Sequence, residues 1–541
     1  MKNILESNAR KYTLLVIVIT FIARLFVAAY TGLGIGESYY FRGALSFDLS
    51  YFDQPPLFFW LGGISVKLLG LTNLGLRFPS VLLFAGTSWL LYLVTARLFN
   101  PRSGFWAVVL INLSAVFTIP IAVWFQPDAP LMFFWMLSAY FIVELLFTYN
   151  NKEKLDRNKG KVYTLWILIG ISMGLDVLSK YHVLFLLVGV FIFIIANKKQ
   201  RHWLTHPGLY IAFLIAVALA FPVIWWNYKN DWISFTFQGN RAGSGTHGFS
   251  LHPEWFLRSI GGQALWLLPW IWVPLVIQLW TSFKSRSKSE AYGFIFWTSV
   301  LPLVFFTLVT LWSDLQYHFH WQAPGYMMLF IPLGFAVDKA LNNHGKRSAL
   351  FNRRWLTFSI LFTCIVLLVA NLQEITGFWR YYGPKWIVHF GGEKTEPTIQ
   401  GTDYIDIQKR FEKEGWLNDP KIFTGSTRWW LTGKIDWALK GKKPIIVFDE
   451  DPRNLAFLVD PKTLVGDDAV ILGQEHQKSI DLNVTPFFDS VTQMPDIIIY
   501  RSGVDELHLQ VYYCKNFHKS VKPHEEFPVY RQLTGRPPFG N

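Results

Sequence analysis

Ionisable and aromatic side chains that suit catalysis are concentrated in short polar segments between long apolar runs of this chain. Carboxylates accept protons from hydroxyl nucleophiles, whereas Lys and Arg bind phosphate, Arg through two oxygens at once. The carboxylates are Glu37, Asp53 and Asp128, and the side chains suited to binding an anionic substrate are Tyr40, Tyr51, Gln54, Lys180, Arg241, His318 and His320. This combination indicates one site for chemistry on an anionic substrate.

Each of these residues also has a simpler structural explanation. Glu37 is compatible with a solvated loop, and Asp53 with the start of a turn, since Asp favours such positions. Asp128 precedes a predicted helix and is suited to capping it. Lys180 is able to snorkel from an apolar segment, and the two histidines suit a membrane interface. The hypothesis of a shared site therefore depends on the combination and not on any single residue.

The composition excludes an ordinary soluble protein. Of 541 residues, 52% are hydrophobic, 18% are aromatic and only 16% are charged. Soluble domains have about 25% charged residues. The many aromatic side chains are typical of membrane–water interfaces, where an apolar ring and a polar edge are both accommodated. The sequence therefore predicts an integral membrane protein.

Apolar runs long enough to cross a bilayer recur along the first 373 residues. A spanning helix needs roughly 20 mostly apolar residues, and about eleven runs meet that criterion. We predict spans at 11–30, 77–98, 104–123, 129–149, 162–178, 181–197, 208–226, 255–280, 291–312, 319–337 and 355–373. The first run shows no convincing signal-peptide cleavage site, so we expect it to remain as a transmembrane helix.

The basic residues predict the orientation of these spans. The net charge is +13, but Lys and Arg are concentrated in alternate loops. Short cytoplasmic loops carry that excess, so we place the N-terminus inside and the segments with the candidate residues outside. The charge thus indicates membrane topology and not a nucleic-acid partner. We expect a multi-pass protein of the plasma (inner) membrane.

The composition changes after residue 373, where charged residues, Pro and Gly become frequent and apolar runs shorten to strand length. We predict strands at Ile445 to Phe448, Ala469 to Leu472 and Ile497 to Tyr500, and a helix from Asp403 to Glu414. The predicted fold is an all-α polytopic membrane domain (1–373) followed by a soluble, extracytoplasmic α/β domain (374–541). We interpret Asp449 to Asn454 as a solvated turn and assign no catalytic residue to the second domain.

The polar segments resemble the motifs of a known family, the polyprenyl-phosphate-sugar glycosyltransferases of the GT-C fold, which include protein O-mannosyltransferases and aminoarabinose–lipid A transferases. The two most specific segments are Tyr51 to Leu57 and Pro127 to Leu131. Either of them alone would be weak evidence for the family, but the combination is fairly specific. The matching stretches run in the family's order: Glu37-x-Tyr39-Tyr40, Tyr51-Phe52-Asp53-Gln54-Pro55-Pro56-Leu57, Gln126-Pro127-Asp128-Ala129-Pro130-Leu131, Leu178-Ser179-Lys180-Tyr181, Gly239-Asn240-Arg241-Ala242 and His320-Trp321-x-Ala323-Pro324-x-Tyr326.

The resemblance implies a GT-C-like membrane domain with an active site on the outer face, under a first loop that carries short interfacial helices. It implies a hexosyl- or pentosyltransferase that moves a sugar, with inversion, from a polyprenyl phosphate to a lipid, glycan or protein acceptor. Within that frame we expect Glu37, Asp53 and Asp128 to be the catalytic carboxylates. Asp/Glu and His together are also able to ligate Zn²⁺, so a divalent metal ion stays open, although the residues are too scattered to predict a metal site.

Two positions depart from the family's pattern. Gly36 stands where the family usually has Asp, and Gln54 stands where it has Lys. Glu37, Asp53 or Asp128 then carries the essential charge, or the chain has lost activity. The alternative functions are a lipid-linked sugar transporter or flippase, and a non-catalytic sugar-lipid binding protein. No internal repeat supports the transporter, whose ionisable residues are expected near the middle of the membrane.

Overall fold

A computed structural model of the protein describes residues 2–242, 250–313, 318, 320–342, 346–379, 397–449, 451–474 and 480–518. These residues form a helical part followed by a smaller part built around a β-sheet. The helices of the first part are α1 (Lys2–Tyr30), α2 (Ile35–Leu45), α3 (Leu57–Leu69), α4 (Asn73–Leu98), α5 (Pro101–Ile111), α6 (Asp128–Thr148), α7 (Lys152–Arg157), α8 (Lys159–Val177), α9 (Val183–Ala196), α10 (Pro207–Lys229), α11 (Ile233–Ala242), α12 (Pro253–Leu267), α13 (Pro269–Ser285), α14 (Glu290–Leu308), α15 (Ala323–Asn342) and α16 (Lys346–Thr376).

The predicted number of membrane spans is not confirmed. Among the described residues, seven helices are long and apolar enough to cross a membrane, or up to eight if α12 and α13 form one bent span. The predicted span 104–123 is divided into α5 and a π-helical turn, Phe117–Ile121. The predicted span 255–280 bends by 112° between α12 and α13, where Leu268 has a φ of 71° and precedes Pro269. A residue before proline is disfavoured in the helical conformation, which explains the break.

Three of the long helices face the lipid. Only 22% of the apolar window of α1, 22% of that of α10 and 17% of that of α16 are buried, against 50–56% for α4, α6 and α14. The outer faces of α1, α10 and α16 carry large exposed apolar side chains, such as Phe26, Phe213 and Leu361. In water such surfaces would be unfavourable, whereas in a bilayer they contact acyl chains. The protein is therefore a multi-pass membrane protein.

Inside the bundle, small residues let helices approach closely. A Cβ atom built on Gly334 of α15 would lie 2.4 Å from the carbonyl oxygen of Ser103 in α5. A Cβ atom on Gly170 of α8 would likewise lie 2.6 Å from the carbonyl oxygen of Ala212 in α10. Close helix contacts of this type are typical of membrane proteins, where packing replaces the hydrophobic effect between helices.

The second part has a five-stranded sheet in the order β2-β1-β3-β5-β4. β1 is parallel to β2 and β3, whereas β5 is antiparallel to β3 and β4. The elements are α17 (Ile405–Lys413), β1 (Ile422–Ser426), α18 (Trp429–Ala438), β2 (Ile445–Val447), β3 (Asp468–Gln474), α19 (Ile480–Asn483), β4 (Phe488–Arg501) and β5 (Val504–Phe517). The predicted α/β class, the three predicted strands and the predicted helix are confirmed. The domain boundary at residue 373 stays a prediction.

The sheet domain is docked on α2, the first helix of the first loop, through α18. A Cβ atom on Gly433 would lie 2.8 Å from both Cα and N of Tyr39, so the two helices meet backbone to backbone. At one end of this contact, Arg42 forms an ion pair with the buried carboxylate of Asp436 and donates to the carbonyl oxygen of Gly441 at 2.9 Å. At the other end, the Lys434 ammonium donates to the carbonyl oxygen of Leu33.

Replacing Arg42 tests this docking. Burial raises the pKa of Asp436 to about 6, and the Arg42 charge opposes that rise. Arg42→Ala removes the counter-charge of a buried carboxylate, a change that costs up to about 3–5 kcal/mol when both partners are buried and less here, because Arg42 is partly exposed. We expect a lower unfolding temperature in detergent and faster proteolysis of the sheet domain. Arg157→Ala, which breaks an exposed pair with Glu153, is the control and should change neither. Equal behaviour of the two variants would contradict the docking.

Candidate active site

Glu37 lies in the first turn of α2, and its carboxylate is fully engaged with the protein. Oε1 accepts from Arg77 Nε and from the backbone N–H of Phe125, both at 2.7 Å. Oε2 accepts from Arg77 Nη2 at 2.6 Å and from the backbone N–H of Gly34 at 2.9 Å. Both side chains are almost completely buried. Such a charge-assisted, two-pronged pair is among the stronger hydrogen-bonded contacts in proteins, and it commits the Glu37 carboxylate to Arg77.

The Arg77 guanidinium extends this network to the end of α1. It donates to the carbonyl oxygen and to the hydroxyl oxygen of Thr31, both at 2.8 Å, and to the carbonyl oxygen of Gly32 at 2.7 Å. Since Arg77 belongs to α4 and Phe125 precedes α6, the pair with Glu37 joins the ends of four helices. It fixes the first loop over the bundle.

Asp53 is buried in the polar stretch between α2 and α3. The hydroxyl of Tyr39 donates to its Oδ2 atom at 3.2 Å, and the Gln238 side chain of α11 donates to its backbone carbonyl at 2.6 Å. Beyond the rigid pair of prolines that follows, the backbone N–H of Leu57 donates to the carbonyl oxygen of Leu178 at 2.9 Å. The loop that carries Asp53 is thereby attached to the turn that carries Lys180.

Asp128 occupies the first turn of α6, and basic side chains from two other segments lie beside its carboxylate. The Lys180 ammonium lies 2.9 Å from its Oδ1 atom, and Nε2 of His320 lies 3.9 Å from its Oδ2 atom. Asp128 and Lys180 are buried, whereas His320 is half-buried. Three residues far apart in the sequence thus form one charged cluster.

Tyr181 lies between the turn that carries Lys180 and the surroundings of Asp53. It follows Lys180 in the chain, and its hydroxyl lies 3.2 Å from the hydroxyl of Ser234 in α11. Burial raises the pKa of Tyr181 to about 12, and the negative charge of Asp53 contributes to the same rise. The phenol therefore keeps its proton at neutral pH, and it lies within electrostatic range of Asp53.

The remaining candidate residues differ in the contacts that they make. The role of Tyr51 as a substrate contact stays a prediction; its buried hydroxyl is within hydrogen-bonding distance of the carbonyl oxygens of Gly43 and Ser46, at 2.9 and 2.7 Å. The Gln54 amide donates to the Tyr40 hydroxyl at 3.2 Å, which places Tyr40 of α2 beside the stretch that carries Asp53. His318 stacks on Trp321, with ring centroids 4.5 Å apart, and lies 6.0 Å from His320 by the same measure. The Arg241 side chain lies outside the described residues, although its backbone is part of α11.

Position 36 faces the segment that precedes Asp128. A Cβ atom on Gly36 would meet Nε2 of Gln126 at 3.7 Å, with no other described atom within 4 Å. A side chain at this position would therefore point toward the residues between Phe125 and Asp128. Within the described part of the chain, no group of three or more His, Cys, Asp or Glu side chains is arranged to hold a metal ion.

Several residues of this region were not predicted. The predicted span 77–98 begins at Arg77, although an ionisable residue in an apolar helix is itself a functional signal. Asp176 carried the same signal: it is completely buried in α8, and neither carboxylate oxygen has a hydrogen-bond partner among the described residues. The interpretation of Asp449 to Asn454 as a solvated turn is wrong, since Asp449 and Asn454 are buried and Asn454 contacts the first loop. Nothing in the local sequence signals that contact.

The known proteins that match this chain in sequence, as reported below, are named as transferases of sugars. Residues 53–226 match the family model described as dolichyl-phosphate-mannose-protein mannosyltransferase. An undecaprenyl phosphate-α-4-amino-4-deoxy-L-arabinose arabinosyl transferase of Proteus mirabilis is 24% identical over 304 residues, covering 54% of this chain and 50% of the relative. The lipid A galacturonosyltransferase RgtD of Rhizobium johnstonii is 26% identical over 199 residues, which is 36% of this chain and 39% of the relative. The chain thus spans about half the length, or less, of the curated relatives it matches.

Solved structures match more of the chain. ArnT from Cupriavidus metallidurans, bound to undecaprenyl phosphate, superimposes with a TM-score of 0.61 and 13% identity, covering 92% of this chain and 97% of that structure. The oligosaccharyltransferase AglB from Archaeoglobus fulgidus matches with a TM-score of 0.52 and 13% identity, over 86% of this chain and 70% of that structure.

The fold is therefore the GT-C fold of membrane glycosyltransferases, combined with a small C-terminal sheet domain. The resemblance to the polyprenyl-phosphate-sugar glycosyltransferases of that fold, which the motifs predicted, is confirmed.

Neutralising Glu37 tests whether its role is structural. Glu37→Gln leaves the Arg77 charge buried without its partner, and breaking a buried pair costs about 3–5 kcal/mol. We expect a clearly lower unfolding temperature, with loss of any ligand binding as a consequence. Glu153→Gln, which affects an exposed pair, should leave the unfolding temperature unchanged. A Glu37→Gln protein with unchanged unfolding temperature would contradict the structural role.

Proposed function

We propose that this protein is a glycosyltransferase that takes a sugar from a polyprenyl phosphate and transfers it, with inversion, to an acceptor outside the cytoplasm. The observation that carries the proposal is the convergence of Asp53 with the Asp128–Lys180–His320 cluster at one end of a GT-C helix bundle. A buried carboxylate near basic side chains suits a reaction in which the carboxylate takes up a proton and the basic side chains stabilise the negative charge that develops on the phosphate.

Asp53 is the proton acceptor in this proposal. The acceptor oxygen forms a bond to the anomeric carbon of the sugar while the bond from that carbon to the phosphate oxygen breaks. The bonding electron pair leaves with the phosphate, and the acceptor proton passes to the Asp53 carboxylate. A single displacement of this kind inverts the anomeric carbon. Tyr39 holds one carboxylate oxygen, which limits the orientations available to Asp53.

Lys180 and His320 bind the phosphate, and Asp128 positions them. Asp128 is buried and lies between the two cations, so it fixes their separation without itself facing bulk water. Cations fixed in a site with little water stabilise the leaving phosphate more strongly than they would in solution. Arg241 is a further phosphate ligand in this proposal, on the basis of its motif on α11. His318, Tyr40 and Gln54 contact the sugar or the acceptor.

Glu37 is a positioning residue in this proposal, because all four of its hydrogen bonds are made within the protein. The choice among Glu37, Asp53 and Asp128 that Gly36 left open therefore falls on Asp53. Transfer without a carboxylate at position 36 also favours an acceptor whose attacking oxygen carries a comparatively acidic proton, because such a proton passes to Asp53 more readily.

The relatives indicate the donor. Those matched by sequence are named for undecaprenyl phosphate-linked aminoarabinose or for lipid A, and the matched ArnT structure contains undecaprenyl phosphate. We propose undecaprenyl phosphate as the carrier of the sugar and a lipid, glycan or protein of the cell envelope as acceptor. The transporter and the non-catalytic binding protein stay as alternatives, without a specific observation in their favour.

Replacing Asp53 tests the reaction. Purified protein in undecaprenyl-phosphate-containing nanodiscs is given undecaprenyl-phosphate sugars and a panel of lipid and peptide acceptors. Asp53→Asn should lower transfer by at least about a hundredfold, the usual contribution of a general base, while binding undecaprenyl phosphate like the wild type. Wild-type transfer by Asp53→Asn would remove Asp53 from the reaction.

Two further variants separate the alternatives in the same assay. Lys180→Ala should weaken binding of undecaprenyl phosphate more than binding of the acceptor. Gly36→Asp, whose side chain has room toward Gln126, restores the family's usual carboxylate. If the wild type and Gly36→Asp both bind undecaprenyl phosphate but neither transfers sugar to any acceptor nor hydrolyses the donor, the protein is a binding protein and the proposed function is wrong.

The proposed orientation has its own test. With the N-terminus in the cytoplasm, the sheet domain lies outside, together with the candidate site. An alkaline phosphatase fused after residue 376, at the end of α16, should be active, because this enzyme matures only outside the cytoplasm. A fusion in the turn between α4 and α5, near Asn100, should be inactive. The reverse pattern would overturn the orientation and, with it, the proposed location of the site.

A further inference from the structure

The short helix Arg453–Phe457 of the sheet domain reaches the immediate surroundings of Asp53. The backbone N–H of Asn454 donates to the Tyr39 hydroxyl oxygen at 2.8 Å. The same hydroxyl donates to Oδ2 of Asp53 at 3.2 Å. In addition, the Asn454 side-chain oxygen accepts from the backbone N–H of Phe52, the residue before Asp53, at 3.2 Å. Asn454 therefore contacts both the side-chain partner and the backbone of Asp53.

The order of these hydrogen bonds has a chemical consequence. A phenol has one proton to donate, and its oxygen accepts through a lone pair. Because the Asn454 N–H is directed at that oxygen, the Tyr39 proton is left to point at Asp53. Hydrogen bonds in a chain polarise one another, so the N–H of Asn454 makes Tyr39 a stronger donor to the carboxylate.

The backbone at the first residue of this helix is unusual. Arg453 has a φ of 50°, in the left-handed region that favours glycine. Its guanidinium lies 4.0 Å from the ring centroid of Trp429 and 3.0 Å from Oδ2 of Asp451, and these contacts hold the residue in place. The Trp429 ring in turn packs edge-on against Tyr39, with centroids 5.0 Å apart. Strained backbone that surrounding contacts maintain is common where a site depends on a fixed geometry.

We infer that Asn454 is a positioning residue for Asp53, which acts through Tyr39 and Phe52 and makes the reaction depend on the docked sheet domain. This inference rests on the proposed function for its consequence in catalysis. It goes beyond that function because it assigns part of the site to a domain that carries none of the family's motifs.

Three variants test the inference. Tyr39→Phe removes the donor to Asp53, and Asn454→Ala removes the acceptor for the Phe52 N–H while leaving the Asn454 backbone N–H in place. The control is Asp460→Ala, which removes the side-chain cap of the neighbouring short helix Pro461–Leu464 in the same domain, a hydrogen bond made within that helix. Unfolding temperatures of all three, and of the wild type, identify any effect that comes from domain stability alone.

Transfer kinetics are the first readout. A hydrogen bond to a carboxylate favours its ionised form, so its loss shifts the acidic limb of the pH profile of kcat upward, by about one pH unit for Tyr39→Phe. We expect kcat to fall about ten- to hundredfold in Tyr39→Phe and less in Asn454→Ala, with little change in the KM for the donor. The double variant should lose less than the product of the two single losses, because both act on the same carboxylate. Asp460→Ala should keep the wild-type pH profile.

The second readout needs no transfer. A hydrophobic carbodiimide modifies protonated carboxyl groups, and mass spectrometry of the peptide with Asp53 gives its labelling as a function of pH. We expect half-maximal labelling at higher pH in Tyr39→Phe and Asn454→Ala than in the wild type and Asp460→Ala. If the wild type transfers no sugar, the proposed function fails, and the labelling still decides the inference. Labelling profiles of both variants that coincide with the wild type would overturn it, whatever the result of the transfer assay.

Discussion

The arrangement of the site depends on one buried ion pair, between Glu37 and Arg77. Removing two charges from water is costly, and a buried pair is tolerated only when hydrogen bonds satisfy its remaining donors and acceptors. Here Thr31 and Gly32 at the end of α1 and the backbone of Phe125 meet that requirement. The pair therefore specifies which segments must meet, because any other arrangement leaves a charge in a nonpolar environment without a partner. The Glu37–Arg77 ion pair therefore contributes more to selecting this arrangement of segments than to the net free energy of unfolding.

The docked sheet domain extends the same network. The Lys434 ammonium donates to the carbonyl oxygen of Leu33, a few residues before Glu37, and burial lowers the pKa of Lys434 to about 8, although the charges of Asp403 and Glu37 oppose that change. Asp403 accepts from the backbone N–H of Leu33 at 3.1 Å and from the Asn73 side chain at 2.7 Å. The first loop is thus held by Arg77 of the helix bundle on one side and by the sheet domain on the other. Such a loop resembles a rigid element more than a flexible connection, which suits catalytic groups that must keep a fixed geometry.

The sequence predicted much of the fold, because long apolar runs and basic loops reflect the bilayer directly. It failed where a helix breaks for reasons of backbone geometry, as at Leu268, and the predicted number of spans is not confirmed. For the site, the motifs identified Asp53, Asp128 and Lys180, which the structure brings to one end of the bundle. The motifs did not distinguish a carboxylate that is paired within the protein from one that is placed to act on a substrate. Glu37 and Asp53 look alike in the sequence, and only the position of Arg77 in the folded bundle separates them.

The glycine at position 36 has a consequence for how charge is distributed in the site. Glu37 is neutralised by Arg77, and Asp128 lies between Lys180 and His320. A further carboxylate at position 36 would add a negative charge beside the segment from Phe125 to Asp128, and such a charge would oppose the approach of a phosphate unless a cation compensated for it. The family's lysine, which would supply that cation next to Asp53, is Gln54 here. The two departures from the family's pattern remove one negative and one positive charge, so the net charge of the site is conserved. For the proposed function this balance suits an anionic ligand, because a missing lysine alone would weaken phosphate binding and a missing aspartate alone would leave the site with excess positive charge.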